Sequence, residues 1–213
     1  MKYCYFFILI LFCTYTQAQK KYEPEQINWR GTVYPYRYHH MEQYFRYHPE
    51  KRPVPNIDTT IINRNYLAVF EVNDNKFYLQ NMYIQGKNKN IKDLSVLHEL
   101  SSKNEPMFLS WVSGLFDIGM GTEKFAGNDT LMPIYDHYIV FEINKGHIGR
   151  TENFTYNQLK LFKDYQYRRF KESPDYRRLS RRLLYNGMNE SEASSHIYEF
   201  ILFYSKSNFL KKY

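Results

Sequence analysis

Cysteine is nearly absent: the chain has two in 213 residues, Cys4 and Cys13, both within the first eighteen positions. Without that stretch no disulfide can form, so the fold must rest on its own core. A cysteine nucleophile, thiolate-ligated zinc and thiol redox chemistry are excluded with it. Long apolar sequence is also scarce. The run from Tyr3 to Phe12 falls short of the ~20 residues that span a bilayer. With Lys2 before it, and Thr16 and Ala18 ahead of Gln19, it has the layout of a cleaved secretory signal. Leu11-Phe12 before Cys13 are too large for a lipoprotein signal. Residues 1–18 are therefore expected to be a signal peptide, and the mature protein to be periplasmic or secreted.

Complete catalytic templates are missing as well. His98-Glu99 opens like the HExxH zinc helix, but Ser102 stands where the second histidine belongs. His39, His40 and His48 lack a spaced carboxylate to complete a metal site. Gly119-Met120-Gly121 is no dinucleotide loop, because Lys124 replaces the third glycine. Ser113 lacks the glycine two residues ahead that a nucleophile elbow needs. No cofactor and no metal are expected.

What the chain has in quantity is aromatic side chains, 22 Tyr and 16 Phe, within a hydrophobic fraction of 43%. That is enough to build a sizeable core, with tyrosines able to sit half in water. Alternation and turn residues predict strands over Thr32 to Tyr38, Ile57 to Ile62, Tyr66 to Val72, Phe77 to Ile84 and Met107 to Val112. Helical turns are expected from Met41 to Tyr47 and from Ile91 to Leu100. In Tyr138 to Ile143, side chains 139, 141 and 143 should share one face and 138, 140 and 142 the other. Gly146 supplies the positive φ of a tight turn. Val140-Phe141-Glu142-Ile143-Asn144 echoes Val69-Phe70-Glu71-Val72-Asn73, each run leading into a turn.

From Phe154 the texture becomes helical. Thr155 with Gln158 forms a capping box, and Phe154 with Leu159 a hydrophobic staple. Ser173-Pro174 starts a second helix that Gly187 ends. Asn189 with Glu192 caps a third, with an apolar stripe through Ala193, Ile197, Phe200, Ile201 and Tyr204. The expected architecture is α+β, a mostly antiparallel β-rich domain over 19–152 followed by a C-terminal three-helix segment over 153–213 that packs on the sheet or on a partner.

Charge is uneven. The formal net charge is +7, or +6 without Lys2. The stretch from Tyr156 to Arg182 holds Lys160, Lys163, Arg168, Arg169, Lys171, Arg177, Arg178, Arg181 and Arg182 against Asp164, Glu172 and Asp175. On the second helix, Arg177, Arg178, Arg181 and Arg182 fall opposite Tyr176, Leu179 and Leu183 at about 100° per residue. Such a stripe points to capture of an anionic partner: acidic polysaccharide, lipid headgroup or an acidic envelope protein. Nucleic acid is disfavoured, because Glu190, Glu192 and Glu199 on the third helix repel phosphate.

The segment RNYLAVFEVNDNKFYLQNM, Arg64 to Met82, resembles the pattern R-G-Y-x-A-x-W-E-I-x-D-x-K-L-Y-L of a family of uncharacterised bacterial proteins. Those proteins also carry a W-x-S-G segment, then a Gly, an acidic residue, a strand and a turn Gly, as Trp111, Ser113, Gly114, Gly121, Asp136 and Gly146 do here. The resemblance covers about Ile57 to Ile148, with Asn65 in place of the Gly and Phe70 in place of the Trp. It implies a folded β unit and carries no reaction with it.

The expected function is a non-enzymatic exported binding or interaction protein for an anionic or glycan partner. The alternative is an exported carbohydrate hydrolase using Glu71 and Glu142 as a carboxylate pair, which requires them ~5 Å apart for retention or wider for inversion. A third reading is an envelope-complex subunit that docks through its helical tail.

Overall fold

The computed structural model describes residues 24–54, 66–84, 94–101, 105–124 and 133–205. Residues 1–18, expected to be a signal peptide, and the strand expected over Ile57 to Ile62 lie outside them. In chain order the described elements are β1 (Glu25–Trp29), β2 (Thr32–Tyr36), α1 (His40–Tyr47), β3 (Leu67–Asn73), β4 (Lys76–Ile84), β5 (Leu94–Ser95), α2 (Leu97–Leu100), β6 (Met107–Phe108), β7 (Gly114–Met120), β8 (His137–Asn144) and β9 (His147–Thr155). Four helices follow: α3 (Tyr156–Lys171), α4 (Pro174–Tyr185), α5 (Glu190–Glu199) and α6 (Ile201–Tyr204). The fold is α+β, as the sequence leads one to expect.

The strands form one sheet in the order β2-β1-β3-β4-β9-β8-β7, with β5 and β6 also pairing to β4. The β1 and β3 pair is parallel; the other described pairs are antiparallel. One core draws on both ends of that order. Ile27 and Trp29 of β1, Phe70, Phe77 and Leu79 of β3 and β4, and Phe116, Ile118, Phe141 and Ile143 of β7 and β8 are buried together with Met41 and Phe45 of α1. The sheet therefore curls around a single aromatic core, which brings β2 close to β7. The other face of β7 to β9 holds Leu115, Tyr138, Val140 and Phe154, packed against Leu159, Phe162, Ile201 and Leu202 of the helices. This is the face segregation that the alternation in β8 predicts.

The two echoing runs are the first strands of two hairpins that meet turn to turn. Asp74 and Asn75 have φ of 47° and 56°, and Lys145 and Gly146 have φ of 50° and 79°. Both turns thus use two consecutive left-handed residues, as tight hairpins do. Across the junction the Phe77 amide donates to the Gly146 carbonyl at 2.8 Å, and the Ile148 amide to the Asn75 carbonyl at 2.8 Å. Phe77 and Ile148 are equivalent in the echo, as are Asn75 and Gly146, so the bonds are reciprocal. This local twofold joins the halves of the sheet, whose only ladder pair between β4 and β9 is Lys76 with His147.

The helix signals are realised. Thr155 with Gln158 and Asn189 with Glu192 both form capping boxes, Ser173 caps α4 with Pro174 at its first position, and Gly187 ends it at φ 93°. Three expectations need correction. Leu94 and Ser95 pair with β4 as strand, leaving a helix of only Leu97–Leu100, because the long β4 edge offers them ladder partners. The strand expected to reach Val112 stops at Phe108; beyond it the Leu109 amide turns back to the Phe77 carbonyl at 3.0 Å. The third helix breaks at Phe200, with φ −101° and ψ 25°, so Ile201 and Leu202 can reach the sheet.

Candidate functional site

The arginine stripe is positioned by ordinary helix packing. Leu179 and Leu183 of α4 bury against Ala193 and Ile197 of α5. That contact turns Arg177, Arg178, Arg181 and Arg182 to solvent, and all four are exposed. Arg178 meets Asp175 at 3.0 Å, and the Arg181 Nε–H donates to the Arg177 carbonyl at 3.2 Å, which tethers its side chain along the helix. Leu184 and Tyr185 extend the same exposed end, Tyr185 being 91% accessible.

Glu71 and Glu142 are not brought together. Their strands, β3 and β8, are separated by β4 and β9. At the usual strand spacing that is ~14 Å along the sheet. Glu71 accepts from the Asn28 amide at 3.1 Å, an ordinary outer-face cross-strand contact. The histidines are scattered, and no group of three or more His, Cys, Asp or Glu suited to a metal occurs among the described residues.

A buried charge seam, which motif reasoning missed, lies where β2, β7 and the helices meet. Arg37, just after β2, donates to Asp117 of β7 at 2.8 Å and to Glu199 of α5 at 2.5 Å. The Tyr38 hydroxyl donates to the same Asp117 oxygen. Lys163 of α3 stands 3.7 Å from Glu199 and 5.1 Å from the Tyr198 ring. Burial, with the Arg37 charge nearby, pulls the Lys163 ammonium below the usual lysine range. Two cations and two carboxylates thus balance, with the Asp117 side chain 4% exposed. The available signal was Asp117 itself, a lone charge inside the apolar run Leu115-Phe116-Asp117-Ile118.

No known family, curated protein or solved structure matches this chain. The reading of its sites therefore rests on geometry. The seam is mostly buried, with Glu199 at its open end 37% exposed; its charges pair with one another, and it ties the sheet to the helices. The α4 face is open and its guanidiniums point to water.

Beside the seam, His40 is buried among Phe70, Phe77 and Phe116, its ring 4.7 Å from that of Phe116. Its Nε2 pairs with the Tyr36 hydroxyl at 2.9 Å. Burial, with His39 adding to it, lowers its pKa from 6.5 to about 3. The unfolded chain binds this proton near 6.5 and the folded one only near 3. Stability is therefore full above pH 6.5 and falls as pH drops through that window, by about 1.4 kcal/mol per unit. Urea unfolding at pH 6.5 and pH 5 should differ by about 2 kcal/mol through this group alone. His40→Gln, less stable overall, should show that much less pH dependence; an unchanged slope would remove His40 as its source.

Proposed function

We propose that the chain is an exported, non-enzymatic binding protein that engages an acidic polysaccharide through the exposed face of α4. The carrying observation is that the helix's apolar side is occupied by α5 while Arg177, Arg178, Arg181 and Arg182 stand in water. Guanidinium forks match carboxylate and sulfate groups two bonds at a time. An exposed tyrosine beside them adds a flat surface for a sugar ring. Among the anionic partners, lipid headgroups fit less well. A helix that lies in a bilayer surface needs its apolar face free to insert, and here that face is packed. No described helix is long and apolar enough to cross a membrane.

The test uses the mature chain, residues 19–213, on a sulfated or carboxylated polysaccharide matrix. Retention should be lost as salt rises, since exposed charge pairs are screened. Reversing Arg177, Arg178, Arg181 and Arg182 to glutamate should abolish it. Retention unchanged by the reversal would overturn the proposal; loss of retention accompanied by tight binding to a single envelope protein would assign the face to that protein instead.

A further inference from the structure

Gly119 and Gly121 form no nucleotide loop, yet each glycine has a neighbour that needs it. A Cβ on Gly119 would run into the Tyr135 ring, and one on Gly121 would come within 3.3 Å of the Asp136 carboxylate. Both neighbours wall a shallow pocket of about 310 Å³ between the end of β7, the start of β8 and the first turn of α3. We propose that this pocket binds a single neutral sugar ring.

The walls are fixed before any ligand arrives. The Tyr135 amide donates to the Tyr138 hydroxyl at 2.9 Å, and the Tyr135 ring meets that of Tyr138 edge-on at 6.1 Å. Lys124 and Ile134 exchange two backbone hydrogen bonds, of 2.8 and 2.7 Å. The Asp136 carboxylate takes the Lys124 ammonium at 2.5 Å and the Thr122 amide at 3.2 Å. Those partners hold it below the usual carboxylate range, Lys124 first. Opposite stand Tyr156 and Asn157, on a helix start locked by its capping box.

These groups select a class of ligand. Lys124 and Asp136 cancel, so the residues lining the pocket carry no net charge, with the Glu123 carboxylate acting on the Tyr135 hydroxyl from outside the lining. An anion would face Asp136, a cation would face Lys124, and an apolar molecule would strip water from both without replacing its bonds. Each Asp136 oxygen retains acceptor capacity beyond its present partner, and the Asn157 amide offers donors and an acceptor. Two phenol rings supply apolar surface with a polar edge. Apolar ring faces with hydroxyls around the rim are what a pyranose presents. The volume lies at the small end of the ~300–1,000 Å³ of ligand pockets, so it takes one ring, and its open side lets that ring be the end of a longer glycan. The site lies at the opposite end of α3 from α4. That helix has 16 residues, or ~24 Å at 1.5 Å per residue, so this site is independent of the arginine face.

The experiment is an amide-resolved NMR titration of the mature chain with the methyl glycosides of glucose, galactose, mannose and N-acetylglucosamine, and separately with inorganic phosphate. At least one glycoside should give saturable shifts at Thr122, Asp136, Tyr156 and Asn157. The affinity should be about millimolar, as expected for about a dozen heavy atoms on an open surface. Tyr156→Ala and Asn157→Ala change exposed positions and should each weaken binding about tenfold while amides elsewhere keep their positions. Gly119→Ala should weaken it too, through the displaced Tyr135 ring. Charge reversal on α4 should leave it unchanged. The proposal is overturned if no glycoside gives saturable shifts at these amides, if phosphate produces them instead, or if both Tyr156→Ala and Asn157→Ala bind as well as the parent.

Discussion

Asp117→Ala should cost about 3–5 kcal/mol of folding stability, the range for removing one partner of a buried ion pair. The carboxylate receives both Arg37 and the Tyr38 hydroxyl. Its loss leaves a guanidinium that is only 20% exposed with Glu199 as its remaining carboxylate, and an inward-facing phenol without its acceptor. The damage should spread to the helices, because Arg37 also holds Glu199 and Glu199 approaches Lys163. Urea unfolding followed by far-ultraviolet circular dichroism gives the size of the loss. Near-ultraviolet signal from the aromatic core then reports whether sheet and helices still melt together. A loss below about 1 kcal/mol, the level of an exposed pair, would mean that the seam is solvated in solution.

Gly146→Ala should destabilise by about 2–4 kcal/mol, combining left-handed strain with overpacking. At φ 79°, an added Cβ would stand 2.7 Å from the Phe108 ring and 2.8 Å from the Leu109 carbonyl. Both are held, since the Phe108 ring packs between those of Tyr78 and His147 and the Leu109 carbonyl accepts from the Val112 amide at 3.0 Å. Gly187→Ala is the matched control. Its φ is 93° with nothing within 4 Å of the new methyl, so strain alone remains, about 1–2 kcal/mol. Equal losses at the two positions would show that the junction relaxes around the methyl and that the close approach is unimportant.

How far the structure could be read in advance tracks sequence separation. The capping boxes at Thr155 and Asn189 depend on residues three apart, and the left-handed turns at Asp74 and Lys145 are set within four, so both were legible. The segment Val112-Ser113 and the turn Lys145-Gly146 meet in space: the Ser113 hydroxyl accepts from the Lys145 amide at 2.8 Å, and the Val112 carbonyl accepts from the Gly146 amide. β1 was not legible although β2 pairs with it across the two-residue turn Arg30-Gly31, because polar Glu25, Gln26 and Asn28 fill three of its five positions and hide the strand alternation. Nor was the seam, whose bonds span 80 and 162 residues; Arg37 reads as one more cation until the fold sets it against Asp117 and Glu199. The exposed arginines were legible because helix periodicity alone decides which face Leu179 and Leu183 claim. Glu71 and Glu142 illustrate the converse. Equivalent places in two echoing strands gave them the same face, while the strand order, which no local pattern encodes, put β4 and β9 between them.

The most direct test of the arginine face compares two charge reversals of equal size in a chain of residues 19–213. In one, Arg177, Arg178, Arg181 and Arg182 of α4 become glutamate; in the other, the exposed Lys160, Arg168, Arg169 and Lys171 of α3 do. Affinity for a sulfated polysaccharide is then measured at one fixed salt concentration. If α4 is the binding face, the first variant loses binding and the second keeps most of it. Equal loss in both would show that attraction follows net charge and that no face of this protein is a site for the polymer.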